Sequence, residues 1–96
     1  LHPSVLRLIR HVVEAAGHHG KQVGVCGEIA GDLVAVPVLL GLGVNELSLS
    51  PGGIPRVKAI IRKVDMPSAS ALTEKVLQPA RASEVRAIAQ EYLDRL

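Results

Sequence analysis

The sequence predicts an α/β fold in which short parallel strands alternate with helices. Three observations support this prediction: helical patterns at both ends of the chain, two short strand-like runs at 22–26 and 46–50, and an apolar helical segment between those runs. A strand–helix–strand unit with a short crossover implies parallel neighbouring strands and a right-handed connection. Because parallel sheets normally extend sideways, two strands indicate part of an α/β barrel or of a doubly wound sheet.

The first helix is expected from Pro3 to about His18, because apolar residues recur there at helical spacing. Pro3 fits a first helical turn, and Gly17 and Gly20 fit the end of the helix. The apolar stripe is expected to consist of Val5, Leu8, Ile9, Val12 and Ala16.

The two strands are short. The run 22–26, QVGVC, is β-branched and bounded by glycines, which predicts a buried strand that ends on Cys26. The run 46–50, ELSLS, predicts the second strand. Ser48 and Ser50 alternate along it, and no base accompanies either serine, so a serine nucleophile is not expected.

Helices are expected to fill most of the remaining chain. The apolar segment 34–40 predicts a buried helix, which Pro37 permits only if the helix begins near Val36 or is kinked. Gly41 and Gly43 lack the rest of a dinucleotide-binding fingerprint and are interpreted as a helix stop.

Three further helices follow the second strand. Pro55 opens the first, the segment 66–77 forms a short second one, and Ser83 is expected to cap the last. The apolar face of the last helix is expected to comprise Val85, Ile88, Ala89, Tyr92, Leu93 and Leu96.

Composition excludes several classes of function. The 96 residues suffice for at most one small domain, and Tyr92 is the single aromatic residue, so the core must be aliphatic. A net charge of +2 is too small to indicate a nucleic-acid partner, and no apolar run approaches the length of a membrane span. One cysteine cannot form an internal disulfide, which favours a reducing cytoplasm. The chain begins with leucine, which suggests a piece of a longer protein.

Cys26 is the residue to which the pattern draws attention. The carboxyl ends of strands form the active-site face of parallel α/β folds, and Cys26 ends the first predicted strand. On periodicity alone, a lone cysteine there is a small packed hydrophobe. Glu28, two residues after Cys26, disfavours a thiolate, so a chemical role for Cys26 would be that of a proton donor rather than a nucleophile. Gly27 would let substrate approach closely.

Other candidate sites have simpler interpretations. The histidines lack a ligand set at metal-binding spacing and are expected on the solvated surface. The run 56–63, RVKAIIRK, places its charges off an apolar stripe and predicts a solvated helix face. The run 50–55, SPGGIP, predicts a tight turn that needs Gly52 and Gly53, although contact of its amides with an anion stays an alternative.

Two motifs at a characteristic separation nevertheless identify a family. The strings VCGEIAGD at 25–32 and LLGLGVNELSLSPGGIPRVK at 39–58 resemble the carboxyl-terminal end of the phosphoenolpyruvate-binding domain of enzyme I, the phosphoenolpyruvate-protein phosphotransferase of the bacterial sugar phosphotransferase system. The opening HPSVLRLI, at 2–9, and the helical tail are also similar. Asn45 and Leu47 stand where the family often has Asp and Phe, which we interpret as packing variation.

The resemblance implies a fold and a reaction. Residues 1–96 would be the carboxyl-terminal part of a phosphoenolpyruvate-binding (β/α)8 TIM-type barrel: its last two strands and their helices, with extra carboxyl-terminal helices. The parent enzyme moves the phosphoryl group of phosphoenolpyruvate to its own histidine and then to a histidine phosphocarrier protein for sugar uptake. Cys26 would protonate enolpyruvate to pyruvate, with Gly27, Glu28 and Ser50 beside the substrate.

The resemblance also implies what lies outside this chain. The family's Mg²⁺ ligands, substrate-binding arginines and phosphorylated histidine precede this segment, so the chain alone is expected to be inactive. Enzyme I is expected to be a homodimer. A fused multiphosphoryl-transfer protein, or an enzyme similar to pyruvate phosphate dikinase or phosphoenolpyruvate synthase, remains an alternative parent. The alternative from another class is a non-catalytic α/β association module in which Cys26 is merely packed.

Overall fold

The computed structural model describes residues 1–78 and 81–96, which form a mixed, mostly helical α/β structure around a small parallel sheet. In chain order, the elements are α1 (Pro3–His18), β1 (Gly24–Cys26), α2 (Glu28–Gly31), α3 (Val36–Leu42), β2 (Glu46–Ser48), a 3-10 turn (Pro51–Gly53), α4 (Ile54–Lys63), α5 (Met66–Val76) and α6 (Ala82–Asp94). The predicted order of helices and strands is confirmed, with the short α2 and the 3-10 turn as additions.

The two strands are parallel neighbours, as predicted, with Val25 paired to Leu47 and Cys26 paired to Ser48. Asn45 ties their amino ends together, because its side-chain Oδ1 accepts a hydrogen bond from the Val23 amide at 3.0 Å. The expectation of a buried strand is wrong. Val25 and Leu47 are half-buried against the core, whereas the residues on either side of them are exposed, because the described helices cover one face of the sheet.

Helix α3 forms the centre of the core, with Val38 and Leu39 fully buried. It begins at Val36 with Pro37 in its first turn, which confirms the prediction that a helix with Pro37 begins near Val36. Gly43, in the left-handed conformation at φ 95°, ends the helix. The interpretation of Gly41 as part of the stop is wrong, because Gly41 lies inside α3.

Gly41 is required by helix packing rather than by helix termination. A Cβ atom at this position would lie 2.1 Å from Thr73 Oγ1 and 2.2 Å from the carbonyl oxygen of Ala69, both on α5. The Thr73 hydroxyl is satisfied by the Val38 carbonyl oxygen, to which it donates at 3.3 Å. Glycine therefore allows the backbones of α3 and α5 to approach closely.

Helix α1 buries a stripe that matches the expected one only in part, through Ile9. Leu6 is fully buried and Val13 packs against the core, whereas Leu8 is 65% exposed and Val12 is 53% exposed. Arg7 fixes this orientation through a hydrogen bond from its Nη2 to the Leu77 carbonyl oxygen at 2.9 Å. The helix carries two overlapping apolar stripes, and the described part of the chain covers one of them.

Helices α5 and α6 close the other side of the core. The predicted apolar face of α6 is confirmed where Val85 and Ala89 are fully buried. The proposed cap is wrong: α6 begins at Ala82, one residue before Ser83, and the preceding Arg81 makes no side-chain capping hydrogen bond. The remaining packed residues of this face are Ile88, Tyr92 and Leu93, whereas the predicted Leu96 lies beyond the end of α6 at Asp94.

Candidate functional site

The carboxyl ends of both strands open onto one cavity of about 790 Å³. Its position follows from the parallel pairing, since parallel strands bring the loops that follow them to the same edge of the sheet. The lining residues are Gly27, Glu28, Gly31, Ser48, Leu49, Ser50 and Gly53. The structure therefore brings together Gly27, Glu28 and Ser50, three of the residues that the sequence singled out.

Cys26 lies next to this cavity as the last residue of β1, and it is exposed. It precedes Gly27 in the chain, and Ser48, its partner across the sheet, lines the cavity. Because side chains alternate along a strand, Cys26 and Ser48 share the exposed face of the sheet, opposite Val25 and Leu47. The interpretation of Cys26 as a packed hydrophobe is wrong for this chain, since no helix covers that face in the described ranges.

Gly27 has a backbone conformation that side chains disfavour, with φ 93° and ψ −167°. No atom lies within 4 Å of the position that a Cβ atom would take, so the backbone rather than crowding requires glycine there. The Gly27 carbonyl oxygen accepts a hydrogen bond from the Ala30 amide at 3.2 Å and so starts α2. This turn carries the chain from the end of β1 directly along the cavity.

Glu28 and Ser50 line the cavity from different segments of the chain. Glu28 is the first residue of α2 and is exposed. Ser50 precedes the 3-10 turn, and its carbonyl oxygen accepts a hydrogen bond from the Gly53 amide at 3.0 Å. The predicted turn is confirmed, but open space surrounds Gly52; at Gly53 a Cβ atom would meet Leu49 Cδ1 at 3.0 Å.

Sequence reasoning missed a contact that holds the segment beyond Cys26. Asp32, at the end of α2, binds Arg86 of α6 through two hydrogen bonds of 2.9 and 3.3 Å. Asp32 was visible within the motif, but a partner 54 positions away left no signal in the sequence.

The pKa of Asp32 is the net result of opposing effects. Burial raises it, but hydrogen bonds from Arg86 and from the amides of Val34 and Ala35, together with the charge of Arg86, hold the pKa of Asp32 below its ordinary value. The same hydrogen bond and charge raise the pKa of Arg86. Asp32 is therefore a carboxylate at neutral pH.

The other candidates occupy the surface. His11, His18 and His19 are exposed, and His2 is used as a helix cap, its Nδ1 accepting a hydrogen bond from the Ser4 amide at 3.1 Å. The basic residues of α4 form an exposed face, as predicted: Arg56, Lys58, Arg62 and Lys63.

The described residues of this chain do not by themselves form a binding site for Mg²⁺. Within residues 1–78 and 81–96, no three His, Cys, Asp or Glu side chains are grouped to hold a metal ion. Among the described lining residues, Glu28 supplies the one carboxylate of the cavity, whereas Mg²⁺ requires several oxygen ligands. In the same described residues, no helix combines the length and hydropathy that crossing a bilayer requires.

Comparison with known proteins shows the family to which this chain belongs. A family model described as "PEP-utilising enzyme, PEP-binding domain" matches residues 1–66. Phosphoenolpyruvate-protein phosphotransferases of Haemophilus influenzae and Bacillus subtilis are 43% and 45% identical to this chain over 97% and 93% of its length. A multiphosphoryl transfer protein of Xanthomonas campestris is 47% identical over 92% of the chain.

The chain corresponds to a small part of each relative. It spans 16% of the Haemophilus and Bacillus proteins and 10% of the Xanthomonas protein. The motif around Cys26 and the second motif through β2 both fall within the matched residues 1–66. The chain belongs to the family of phosphoenolpyruvate-utilising enzymes, as part of their phosphoenolpyruvate-binding domain.

Proposed function

We propose that this chain is the carboxyl-terminal part of the phosphoenolpyruvate-binding domain of a phosphoenolpyruvate-protein phosphotransferase, and that Cys26 protonates enolpyruvate. One observation carries the proposal: the chain's single thiol is exposed at the carboxyl end of β1, beside the cavity that Gly27, Glu28 and Ser50 line. The names of the relatives support the phosphotransferase reaction over the non-catalytic alternative.

The proposed step transfers one proton to carbon. When phosphoenolpyruvate loses its phosphoryl group, the enol electrons form the new carbonyl group as the methylene carbon takes the proton from Cys26. A C–H bond forms, the S–H bond breaks, and the resulting thiolate regains a proton from water. A thiol is suited to this role because it can give up its proton to the substrate and be reprotonated in the same turnover.

The neighbours of Cys26 have supporting roles in this proposal. The turn at Gly27 leaves open space next in the chain to Cys26, since nothing lies within 4 Å of the position that a Gly27 Cβ atom would take. Glu28, an exposed residue of the cavity lining, places a carboxylate in the same cavity. Ser50, which lines the same cavity, offers a hydroxyl to substrate oxygens.

We also propose that the sheet is completed into a (β/α)8 barrel of which residues 1–96 supply the last two strands. Within the described ranges, each strand pairs on one side only, and an apolar groove lies beside each free edge. The groove beside β1, which we call the edge groove, measures about 250 Å³ and is lined by Val5, Leu8, Ile9, Val12, Val23, Gly24 and Val25. A groove of about 300 Å³ beside β2 is lined by α4, by Leu47 of β2 and by residues of α3 and the loops that flank β2; its members are Leu40, Val44, Asn45, Leu47, Leu49, Ile54, Val57, Lys58 and Ile61.

The remaining features of the parent enzyme rest on the family resemblance. We propose that Mg²⁺ and the phosphorylated histidine are held by segments outside this chain, and that a histidine phosphocarrier protein binds an amino-terminal domain. We propose a cytoplasmic homodimer as the working form. A fused multiphosphoryl-transfer protein is an equally suitable parent, because the multiphosphoryl transfer protein of Xanthomonas campestris is as similar to this chain as the phosphotransferases are.

The test uses the full-length protein with Cys26→Ala. We expect pyruvate formation from phosphoenolpyruvate, with Mg²⁺ and the phosphocarrier present, to fall at least about a hundredfold, the scale of general acid catalysis. Phosphoenolpyruvate binding and the unfolding temperature should stay close to those of the unaltered protein, because the thiol is exposed. Cys26→Ser serves as the matched variant: a hydroxyl of similar size is a far weaker acid, so it should not restore turnover.

Near-normal turnover by Cys26→Ala would assign the proton delivery to another group or to water. Alkylation of Cys26 provides an independent measure, since the proposal requires bound phosphoenolpyruvate to protect the thiol. An association module predicts instead that alkylation proceeds at the same rate with and without the substrate.

A further inference from the structure

A bidentate salt bridge connects the segment after Cys26 to the carboxyl-terminal helix. Arg86 Nη1 donates to Asp32 Oδ2 at 2.9 Å, and Arg86 Nη2 donates to Asp32 Oδ1 at 3.3 Å. Two parallel hydrogen bonds fix the guanidinium and the carboxylate in one relative orientation. The Asp32 side chain is 28% exposed and the Arg86 side chain is 52% exposed, so the carboxylate is the more shielded partner of the pair.

Asp32 organises the chain on both sides of itself. It ends α2, and its carbonyl oxygen accepts hydrogen bonds from the amides of Ala35 and Val36 at 2.9 and 3.1 Å. Its Oδ1 also accepts from the Val34 amide at 3.1 Å. One residue therefore joins the cavity-lining α2 to the buried α3, and a force that holds Asp32 also holds the segment 27–32.

Arg86 belongs to a well-anchored part of the molecule. Its neighbours on α6, Val85 and Ala89, are fully buried in the core. Helix α6 lies beyond residues 1–66, which the family model covers, whereas Asp32 lies within them. The salt bridge thus links the family's domain to a helix outside its matched region.

We propose that Arg86 is a positioning residue: by holding Asp32, it uses α6 to fix the segment 27–32 against the cavity beside Cys26. The effect of Arg86 on turnover rests on the proposed protonation step. Its effect on the segment 27–32 does not depend on that step. Arg86 touches neither the cavity lining nor Cys26 among the described contacts, so its effect passes through Asp32.

Four variants of the full-length protein test the proposal: Arg86→Met, Asp32→Asn, the double variant, and Arg95→Met as a matched control. The Asp32→Asn side chain keeps an oxygen for the Val34 amide and loses the charge, so this variant isolates the pair with Arg86. Arg95 also forms an ion pair near the end of α6, but its partner Glu91 lies on the same helix. The control therefore removes an arginine without touching the segment 27–32.

Two measurements are made on each variant. The proposal predicts that Arg86→Met raises hydrogen exchange about tenfold at the amides of Ala30 and Asp32, which are hydrogen-bonded within the segment 27–32; faster exchange there is a sign of local opening. It also predicts that kcat falls about ten- to hundredfold, because small misplacements are costly in a positioned site. KM for phosphoenolpyruvate should change less than kcat, and the double variant should be no worse than Arg86→Met alone.

The outcomes separate this proposal from the proposed function. If exchange in Arg86→Met equals that in Arg95→Met, the salt bridge does not hold the segment and the inference is overturned. If exchange rises but turnover matches the control, the positioning role is overturned. If Cys26→Ala keeps full turnover, the protonation step fails, yet the exchange measurement still decides whether Arg86 holds the segment.

Discussion

The α3–α5 contact and the α1–β1 edge are both rich in apolar residues, yet they differ completely in burial. At the α3–α5 contact, Leu39 and Ala69 have no exposed surface, and Gly41 allows the two backbones to approach closely. At the α1–β1 edge, Val5 and Leu8 are 46% and 65% exposed beside the edge groove. The first region is complete within this chain, whereas the second presents an apolar surface that the described residues do not cover.

This difference shows that an apolar pattern identifies a surface meant for burial but not the partner that buries it. Scattered exposed apolar residues are ordinary, but Val5, Leu8 and Val12 line a continuous groove beside a free strand edge. The chain spans 16% of the phosphotransferases that it resembles, so the remaining length of such proteins offers ample material to cover this edge.

A large effect on stability is expected at the α3–α5 contact. Gly41→Ala should destabilise the chain by about 3 kcal/mol, because the new methyl group would meet backbone atoms of α5 that no rotamer change can move. Gly17→Ala is the matched control, since nothing lies within 4 Å of its Cβ position on α1, and it should stabilise by about 0.5–1 kcal/mol. Urea unfolding of the three proteins measures both effects, and equal effects at the two glycines would contradict the close packing.

Leucine truncation on the two faces of α1 sharpens the same comparison. Leu6→Ala should cost about 2–5 kcal/mol, because Leu6 is fully buried. Leu8→Ala should change the unfolding free energy of the 96-residue chain by less than about 0.5 kcal/mol, because Leu8 is 65% exposed.

The same pair of variants in the full-length protein tests whether the edge groove is covered. If preceding segments complete the sheet, Leu8→Ala should there approach the cost of Leu6→Ala. Similar small effects of Leu8→Ala in both proteins would show that the edge stays open, which would contradict the proposed barrel.

The smallest expected effect is the acid response of the Asp32–Arg86 pair. Because the folded-state pKa of Asp32 is lowered, its stabilising contribution is present above the unfolded-state value of about 3.9 and is lost as the pH falls through the lower folded-state value. Asp32→Asn should therefore unfold at a lower temperature than the unaltered chain at pH 7, and the difference should disappear near pH 2. A difference that persists at pH 2 would assign the effect to packing rather than to charge.

Several features of the fold were predictable because they depend on residues close together in the chain. Short-range patterns predicted the parallel strands, the start of α3 near Pro37 and the apolar face of α6, and the structure confirmed them. The cavity beside Cys26 was predictable in part, since parallel strands place Gly27, Glu28 and Ser50 at one edge.

One error falls where a distant segment decides the outcome, and another falls at a helix boundary. Gly41 looked like a helix stop because its contact with Ala69 and Thr73 lies far along the chain. Ser83 looked like a cap because its residue type favours that position, although α6 begins one residue earlier.

The sequence by itself determined the order of the elements, the parallel sheet edge that carries Cys26, and the family, because these follow from local periodicity and from motifs. The tertiary structure alone decided which stripe of α1 is buried, why Gly41 must be glycine, and that Arg86 holds Asp32. The physical reason is that a local pattern specifies the chemistry of a surface, whereas its neighbour is selected by packing between segments far apart in the chain.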